Sequence, residues 1–519
     1  MRLIGAIFAG WFAVGAALAE SVQPPAAEVT VMPAFEVASL SSDFEGWGKV
    51  RSPHFVIYTD GGMKAALATL RQLEACRRAE EKFFAREQLR TDPFILVLPT
   101  ARSVWKKLES KAKVEWRVAV SSSGESVASL TVVQHDWQDE GLGVLQSSLA
   151  TSALPRLGLA GPLWFNRGAG DFFETAELNG GEIVLGRPNE RRVKGLKNRA
   201  WLPWERFFAI NVESPEYVRA GEIERYGAQC AVFMHFLLTQ RDPVWRERLA
   251  RWRAHFIGGY VPNEADFQAI FGQGWKEWQG TMERHAAKQD FTPITYQLTE
   301  EELGERATES LDLRTREMRD LFVLVQILNQ AVPASEEALD YMLAHGLKTA
   351  SLRGVLVTAC LEKRRPAPAL GQLREMIAAK TENPEAWLQA ARLRFAETVP
   401  ELSLEAKLGA AALEIRDWSR RACELEPRLN EARELFGWSE ALGPQCTEQN
   451  ATAILQAFQQ IDAHGRKDRI ALALAIALWR TGDAATARTL AAALQGAAAV
   501  RPEIRALAGE LVARLPEGK

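Results

Sequence analysis

The sequence has 519 residues, of which 47% are hydrophobic and 25% are charged. These values are ordinary for a globular protein and allow about two to four domains that bury their cores without disulfides or metals. Its 63 Lys and Arg and 66 Asp and Glu give a net charge of -3 without a Lys/Arg-rich block, which argues against nucleic acid as a partner. The five cysteines show neither metal-ligand spacing nor a disulfide-framework pattern, and only Cys423 and Cys446 are candidates for a bridge.

The N-terminal segment has the pattern of a secretory signal. Arg2 precedes a mostly apolar run that ends in the small-residue pattern A-L-A before Glu20. This pattern predicts a signal peptide over residues 1–19 that is cleaved after Ala19, with an uncleaved anchor as the alternative. Residues 20–44, rich in Pro, Ala, Val and Ser, are expected to form a linker. No later apolar run approaches about 18 residues, so we expect an exported protein, periplasmic or extracellular, without stable membrane insertion after cleavage.

The folded chain is predicted to begin near Trp47 with an α+β arrangement. A strand, a helix and a strand are predicted in turn over residues 54–59, 63–89 and 94–98. A hairpin is expected next, over residues 117–133, around the turn S-S-S-G-E-S. Residues 141–175 then predict an apolar helix, a Pro/Gly turn and a second helix that opens at Trp164.

The second of these helices carries a family resemblance. Residues 164–173, W-F-N-R-G-A-G-D-F-F, resemble the W-L-N-E-G-x-A-E-Y-F segment of exported zinc-peptidase-like domains of the gluzincin type, in the peptidase MA clan. In that family the Glu is the third zinc ligand, and an H-E-x-x-H about twenty residues upstream supplies two His ligands and the general base. Here Arg167 stands at the Glu position, and the matching upstream window contains Ser147, Ser148 and Thr151. The resemblance therefore implies a zincin-like domain over residues 45–292 without its zinc ligands, so no catalytic residue, metal or cofactor is expected.

Other segments extend this resemblance in the same order as in the family. The opening W-G-K-V-R-S-P-H-F-V-I-Y-T-D, the helix that starts at Tyr226 and the element F-Q-A-I-F-G each have a family counterpart. What it implies for binding is a former substrate cleft, whose candidate residues are Trp164, Asn166, Arg167, Asp171, Tyr226 and His235. Two alternatives stay open: Arg167 either receives a ligand carboxylate or pairs with Asp171 four residues on, and His235 is either a core histidine or a cleft residue. A serine nucleophile at Ser147 or Ser148 would need an adjacent base and lacks the G-x-S-x-G pattern.

The C-terminal part has a different composition. From residue 299 to 519 the chain is rich in Ala, Leu, Glu and Arg, with helix-sized apolar periods and short breaks. The junctions N-P-E-A-W and L-E-P-R-L-N-E-A, and the hairpin over residues 471–494, resemble tetratricopeptide repeats. We therefore expect an all-α, tetratricopeptide-like domain that binds proteins or peptides, with a plain α-helical domain as the alternative.

Together these patterns favour a non-catalytic, exported binding or scaffolding protein with a protein or peptide ligand. Two alternatives stay open. One is a hydrolase with a rearranged site, for which His135, Asp136 and Asp139 are the candidate residues. The other is a structural assembly factor that uses only its helical array. The sequence does not indicate an oligomeric state.

Overall fold

The computed structural model describes most of the chain from Trp47 onward. The described residues are 47–85, 87–88, 93–100, 127–128, 130–132, 142–156, 161–197, 200–219, 221–240, 243–256, 262–288, 291–304, 307–310, 316–329, 334–347, 349–461, 467–497 and 500–516. The predicted signal peptide, the linker, the first hairpin strand and residues 135–139 lie outside these ranges. The described chain divides into two compact units, the first ending at Arg364 and the second beginning at Arg365.

The first unit contains two sheets. Its strands are β1 (Gly48–Arg51), β2 (Phe55–Thr59), β3 (Phe94–Leu98), β4 (Leu130–Val132), β5 (Glu177–Asn179), β6 (Glu182–Leu185), β7 (Ile294–Gln297) and β8 (Ala307–Ser310). The larger sheet has the order β4-β3-β2-β1-β8, in which β2, β3 and β4 run parallel and β1 is antiparallel to both of its neighbours. The smaller sheet, β5-β6-β7, is antiparallel. All five residues of β3, F-I-L-V-L, are buried, as expected of a strand covered on both faces.

Fourteen helices of the first unit lie in the described ranges. They are α1 (Met63–Phe84), α2 (Leu142–Arg156), α3 (Leu163–Glu174), α4 (Glu190–Lys197), α5 (Trp204–Ala209), α6 (Pro215–Val218), α7 (Glu222–Thr239), α8 (Pro243–Phe256), α9 (Glu264–Phe271), α10 (Trp275–Lys288), α11 (Glu300–Leu303), α12 (Arg316–Asn329), α13 (Ala334–His345) and α14 (Arg353–Glu362). Helix α1 connects the parallel strands β2 and β3 and packs on the larger sheet, with Leu70 and Leu73 against Ile57 and Leu96. Helix α3 is central, because it packs against α2 on one side and α7 on the other.

An aromatic core surrounds the N-terminal half of α3. Trp164 is fully buried, stacks on Trp252 with 4.9 Å between ring centroids, and meets the edges of Phe208 and Phe233. Aromatic pairs of this kind add about 0.5–1.5 kcal/mol each beyond the area they bury. This core fixes the positions of α3, α5, α7 and α8 relative to one another.

The second unit is an array of helical hairpins. Its helices are α15 (Pro366–Ala378), α16 (Pro384–Thr398), α17 (Ala411–Leu425), α18 (Asn430–Ala441), α19 (Glu448–Gln460), α20 (Asp468–Arg480), α21 (Ala484–Gly496) and α22 (Pro502–Arg514). Each helix packs on the next, and α16, α18, α20 and α22 also pack side by side. The side chains of Asn383, Thr447 and Asp483 each accept a hydrogen bond from the first turn of the helix that follows. This two-layer packing is that of a helical-repeat array.

Ion pairs join the successive even-numbered helices of this array. Arg392 on α16 donates from Nε to Glu431 on α18 at 2.7 Å. Arg469 on α20 lies 3.8 Å from the carboxylate of Glu434 on α18, and burial raises the pKa of that carboxyl to about 7. Before α22, the Nε of Arg501 donates to Asp468 on α20 at 2.9 Å. Charge therefore joins neighbouring repeats at the Arg392–Glu431 and Arg501–Asp468 pairs, in addition to apolar packing.

The division between the units lies downstream of the change in composition near residue 299. Strand β8 pairs with β1 over four residues, so residues 307–310 complete the sheet of the first unit. The hydroxyl of Thr358 on α14 donates to the carbonyl of Ala128 at 3.1 Å, which ties the helices after β8 to the same unit. The change to helix-forming residues therefore precedes the end of the first compact unit.

Two further findings concern the whole described chain. None of the helices in the described ranges is long and apolar enough to cross a membrane. All five cysteines are free thiols, so the bridge considered for Cys423 and Cys446 is absent.

Candidate functional site

The helix pair α2–α3, which holds the positions matched to zinc ligands, is closely packed. Gly170 on α3 lies against Ser147 and Thr151 on α2: a Cβ added at Gly170 would be 2.6 Å from Thr151 Oγ1 and 2.8 Å from Ser147 Oγ. Contacts this short do not occur for real Cβ atoms, so only glycine permits the helices to approach this closely. The two positions that the resemblance assigns to His ligands thus face the backbone of α3.

The hydroxyl groups at this crossing are bonded within their own helix. Thr151 Oγ1 donates to the carbonyl of Ser147 at 2.8 Å, and Ser152 Oγ donates to the carbonyl of Ser148 at 2.9 Å. Within the described ranges, neither Ser147 nor Ser148 has a hydrogen bond from its side chain to a histidine or carboxylate.

Arg167 and Asp171 lie one turn apart on α3, near a third predicted residue, Tyr226. Arg167 Nε lies 3.8 Å from Asp171 Oδ2, and the Asp171 side chain is fully buried whereas about a third of the Arg167 side chain is exposed (34%). Tyr226 on α7 is fully buried, which raises the pKa of its hydroxyl well above the usual value, and the nearby guanidinium of Arg167 acts in the opposite direction. Arg167 is therefore a half-buried cation beside a buried carboxylate and a phenol.

Two other predicted residues have structural positions. Trp164 is fully buried in the aromatic core. Asn166 closes the turn before α3: its Nδ2 donates to the carbonyl of Gly161 at 2.9 Å, and its Oδ1 accepts from the N–H of Gly161 at 3.2 Å. Because both side chains have these structural contacts, fewer residues are available for ligand binding than the sequence predicts.

His235 forms a pair that the sequence did not indicate. It is 4% exposed, its Nδ1 lies 3.1 Å from Nε2 of His285 on α10, and Phe291 meets the edge of its ring. Burial lowers the pKa of His235 to about 3, with His285 contributing in the same direction, so the ring is neutral at physiological pH. Within the ranges that the structure describes, no three His, Cys, Asp or Glu side chains are grouped so that they could hold a metal ion.

A groove of about 990 Å³ opens elsewhere on the first unit, between the segment before α5 and helix α10. Its lining residues are Leu196, Ala200, Trp201, Leu202, Pro203, Trp204, Glu205, Trp275, Lys276, Gln279, Glu283, Ala286 and Ala287. The sequence does not indicate this groove, because its two walls are some seventy residues apart along the chain. The only local signal was the segment W-L-P-W, which combines two Trp with a Pro.

Comparisons with known proteins provide little support for either predicted domain. The chain matches no protein-family profile, and no curated protein matches it. Among solved structures, it is similar to a thermophilic TPR protein of Thermus thermophilus, at 15% identity over 39% of this chain and 97% of that chain, with a TM-score of 0.24. Because this likeness is so weak, the evidence for a tetratricopeptide-like second unit is the packing of its own helices. Nothing in the comparisons supports the zinc-peptidase resemblance.

Proposed function

We propose that this is a non-catalytic, exported binding or scaffolding protein, descended from a zinc-peptidase-like fold, that holds a peptide or protein partner. One observation carries the non-catalytic part: the positions matched to the three zinc ligands are Ser147, Thr151 and Arg167. Two hydroxyls that are bonded within their helix or packed on Gly170, together with a permanent cation, do not form a zinc donor set. The residues at this place therefore do not fit the metal that the resemblance implies.

Two features support partner binding. Arg167 is half-buried, and its Nε lies 3.8 Å from Oδ2 of Asp171. This geometry leaves guanidinium N–H groups that can donate to a carboxylate or carbonyl of a ligand. The second unit provides a layer of four stacked helices, and arrays of this kind form extended surfaces that recognise proteins and peptides. The peptide-binding role is thus assigned to the surface around Arg167, to the helical array, or to both.

The catalytic question is tested by metal content and proteolysis. We would purify the chain from Glu20 onward without chelator, incubate one portion with zinc, and measure bound metal by mass spectrometry beside a casein degradation assay. We expect no stoichiometric zinc and no degradation. Stoichiometric zinc with activity would overturn the proposal and would direct attention to His135, Asp136 and Asp139.

The binding role is tested with a charge reversal and a matched control. Random extended peptides labelled with a fluorophore are titrated against the wild type, Arg167→Glu and Arg219→Glu, where Arg219 is an exposed arginine of the same unit. Binding by the first unit predicts at least tenfold weaker peptide capture for Arg167→Glu and no change for Arg219→Glu. Equal binding by all three proteins assigns capture to the helical array, as the structural assembly alternative requires, and absence of binding in all three contradicts the peptide-binding role.

A further inference from the structure

The groove before α5 is a preformed site. The indole of Trp204 forms its floor, at 3% exposure, and is backed by Phe207 and Phe233 at centroid distances of 5.3 and 5.2 Å. Trp201 and Trp275 are half-buried, and their ring centroids lie 6.2 and 6.4 Å from that of Trp204. The accessible indole surface of the groove therefore comes from Trp201 and Trp275, and the buried Trp204 packs against both.

The loop that carries this surface is held rigidly. Gln229 on α7 is completely buried, and its side chain bonds both backbone groups of Leu202: the N–H donates to Oε1 at 2.9 Å and Nε2 donates to the carbonyl at 3.1 Å. Buried amides that are bonded in this way fix a loop at little further cost in entropy when a ligand binds. The geometry of the indole surface thus exists before binding.

The polar residues of the groove determine which ligands fit. Glu205, Lys276 and Glu283 are exposed at the lining and sum to a charge of -1, from two carboxylates and one ammonium. Gln279 Nε2 donates to Glu283 Oε1 at 2.8 Å, which places an amide and a carboxylate side by side at the rim. A lining of this kind presents both hydrogen-bond donors and acceptors without a strong field for anions or cations.

We propose that this groove binds a neutral oligosaccharide. The apolar C–H faces of sugar rings pack on indole faces, and vicinal hydroxyls both donate and accept, so they match the adjacent carboxylate and amide of the rim. The groove volume lies at the upper end of the range of small-molecule sites, enough for several sugar residues. This site is separate from the surface around Arg167 and does not depend on the proposed peptide binding.

A proline-rich peptide, the other ligand of aromatic grooves, fits these residues less well. Proline has no N–H, so such a peptide offers no donors to the carboxylates of Glu205 and Glu283. The indole N–H groups of Trp204 and Trp275 are buried, which removes two donors that the carbonyls of a proline-rich backbone would use. Sugar hydroxyls meet neither restriction.

The test is a titration of the full chain from Glu20 with defined oligosaccharides. Hexamers of glucose with α-1,4, β-1,4 and β-1,3 linkages, the hexamer of N-acetylglucosamine and decaproline are titrated in parallel by isothermal titration calorimetry. We expect at least one sugar to bind and decaproline not to bind. Binding of decaproline alone, or of none of these ligands, would overturn the proposal.

Variants locate the binding. Trp201→Ala and Gln279→Ala are expected to weaken sugar binding at least tenfold and threefold, respectively. Trp245→Ala, which removes a half-buried indole of the same unit outside the groove lining, is the matched control and should leave affinity unchanged. Trp201→Ala also removes a packing contact of Trp204. Glu205→Lys is therefore measured as well, because Glu205 is exposed and its replacement removes no core contact. Wild-type affinity in Trp201→Ala, Gln279→Ala and Glu205→Lys together would refute the assignment.

Discussion

Gly170→Ala tests whether the helices α2 and α3 pack as tightly as the structure indicates. The added methyl would lie 2.6 Å from Thr151 Oγ1, 2.8 Å from Ser147 Oγ and 3.0 Å from the Ser147 carbonyl oxygen. Overpacking of this kind costs about 1–3 kcal/mol. Replacing Gly by Ala inside a helix returns about 0.5–1 kcal/mol. We therefore expect a net loss of about 1 kcal/mol in the free energy of unfolding.

The assay combines urea denaturation, followed by intrinsic Trp fluorescence, with hydrogen exchange of peptides from α2 and α3. Gly280→Ala is the matched control: it lies in helix α10 of the same unit, and the new Cβ would meet only the flexible end of Arg284, at 3.3 Å. This control should be neutral or slightly stabilising. Adding Ser147→Ala and Thr151→Ala to Gly170→Ala removes both hydroxyls at the contact and should recover part of the lost stability.

Two results would refute the reasoning. If Gly170→Ala is as stable as the wild type, or more so, the helices do not cross at this glycine. If the triple variant is no more stable than Gly170→Ala, the hydroxyls are not the groups that the methyl displaces. Either outcome would also remove the main evidence that Ser147 and Thr151, at the positions matched to zinc ligands, pack directly against α3.

Three further changes test the buried polar groups. Glu80 is 2% exposed, and burial raises its pKa from 4.5 to about 8, so between these pH values the folded chain keeps a proton that the unfolded chain loses. The free energy of unfolding should therefore fall as pH rises from about 4.5 to 8, by up to about 5 kcal/mol. In Glu80→Gln, the midpoint of urea denaturation should depend less on pH over this range. His235 has the opposite effect, because burial lowers its pKa from 6.5 to about 3. The free energy of unfolding should therefore fall as pH drops from about 6.5 to 3, and His235→Phe should reduce this fall. The same pH dependence in wild type and His235→Phe would contradict the burial of a neutral His235 ring. Arg480 donates to the carbonyls of Ala441 at 2.7 Å and Ala406 at 3.1 Å. Arg480→Met should lower the free energy of unfolding by about 1–3 kcal/mol and speed hydrogen exchange of the amides at the end of α18. Exchange at the wild-type rate there would contradict this role of Arg480.

Periodic apolar patterns predicted much of the backbone. The strand–helix–strand start, the pair α2–α3 and the hairpin α20–α21 all occur where apolar spacing placed them. Strand β8 was missed because its sequence, A-T-E-S, has no apolar alternation. The end of the first unit was consequently expected too early, at the change in composition.

The candidate site was harder to predict, because proximity in space leaves no local signal. His235 and His285 are 50 residues apart along the chain and meet only because α7 and α10 pack together. Trp164 was predicted to bind a ligand on the basis of its motif, yet tertiary packing places it in the aromatic core. With 16 Trp in the sequence, the three that line the groove were indistinguishable from core residues until the fold placed them.

The position of β1 between β2 and β8 also has a consequence for how the chain folds. Gly48 pairs with Thr59 on one side and with Ser310 on the other, so the second neighbour of the first strand is synthesised only after most of the unit. Closing so long a loop raises the contact order and slows folding, and until then the outer backbone groups of β1 are an open edge prone to aggregation. A fragment that ends before β8, such as residues 45–292, keeps that edge open permanently, whereas one that extends to Arg364 can close it.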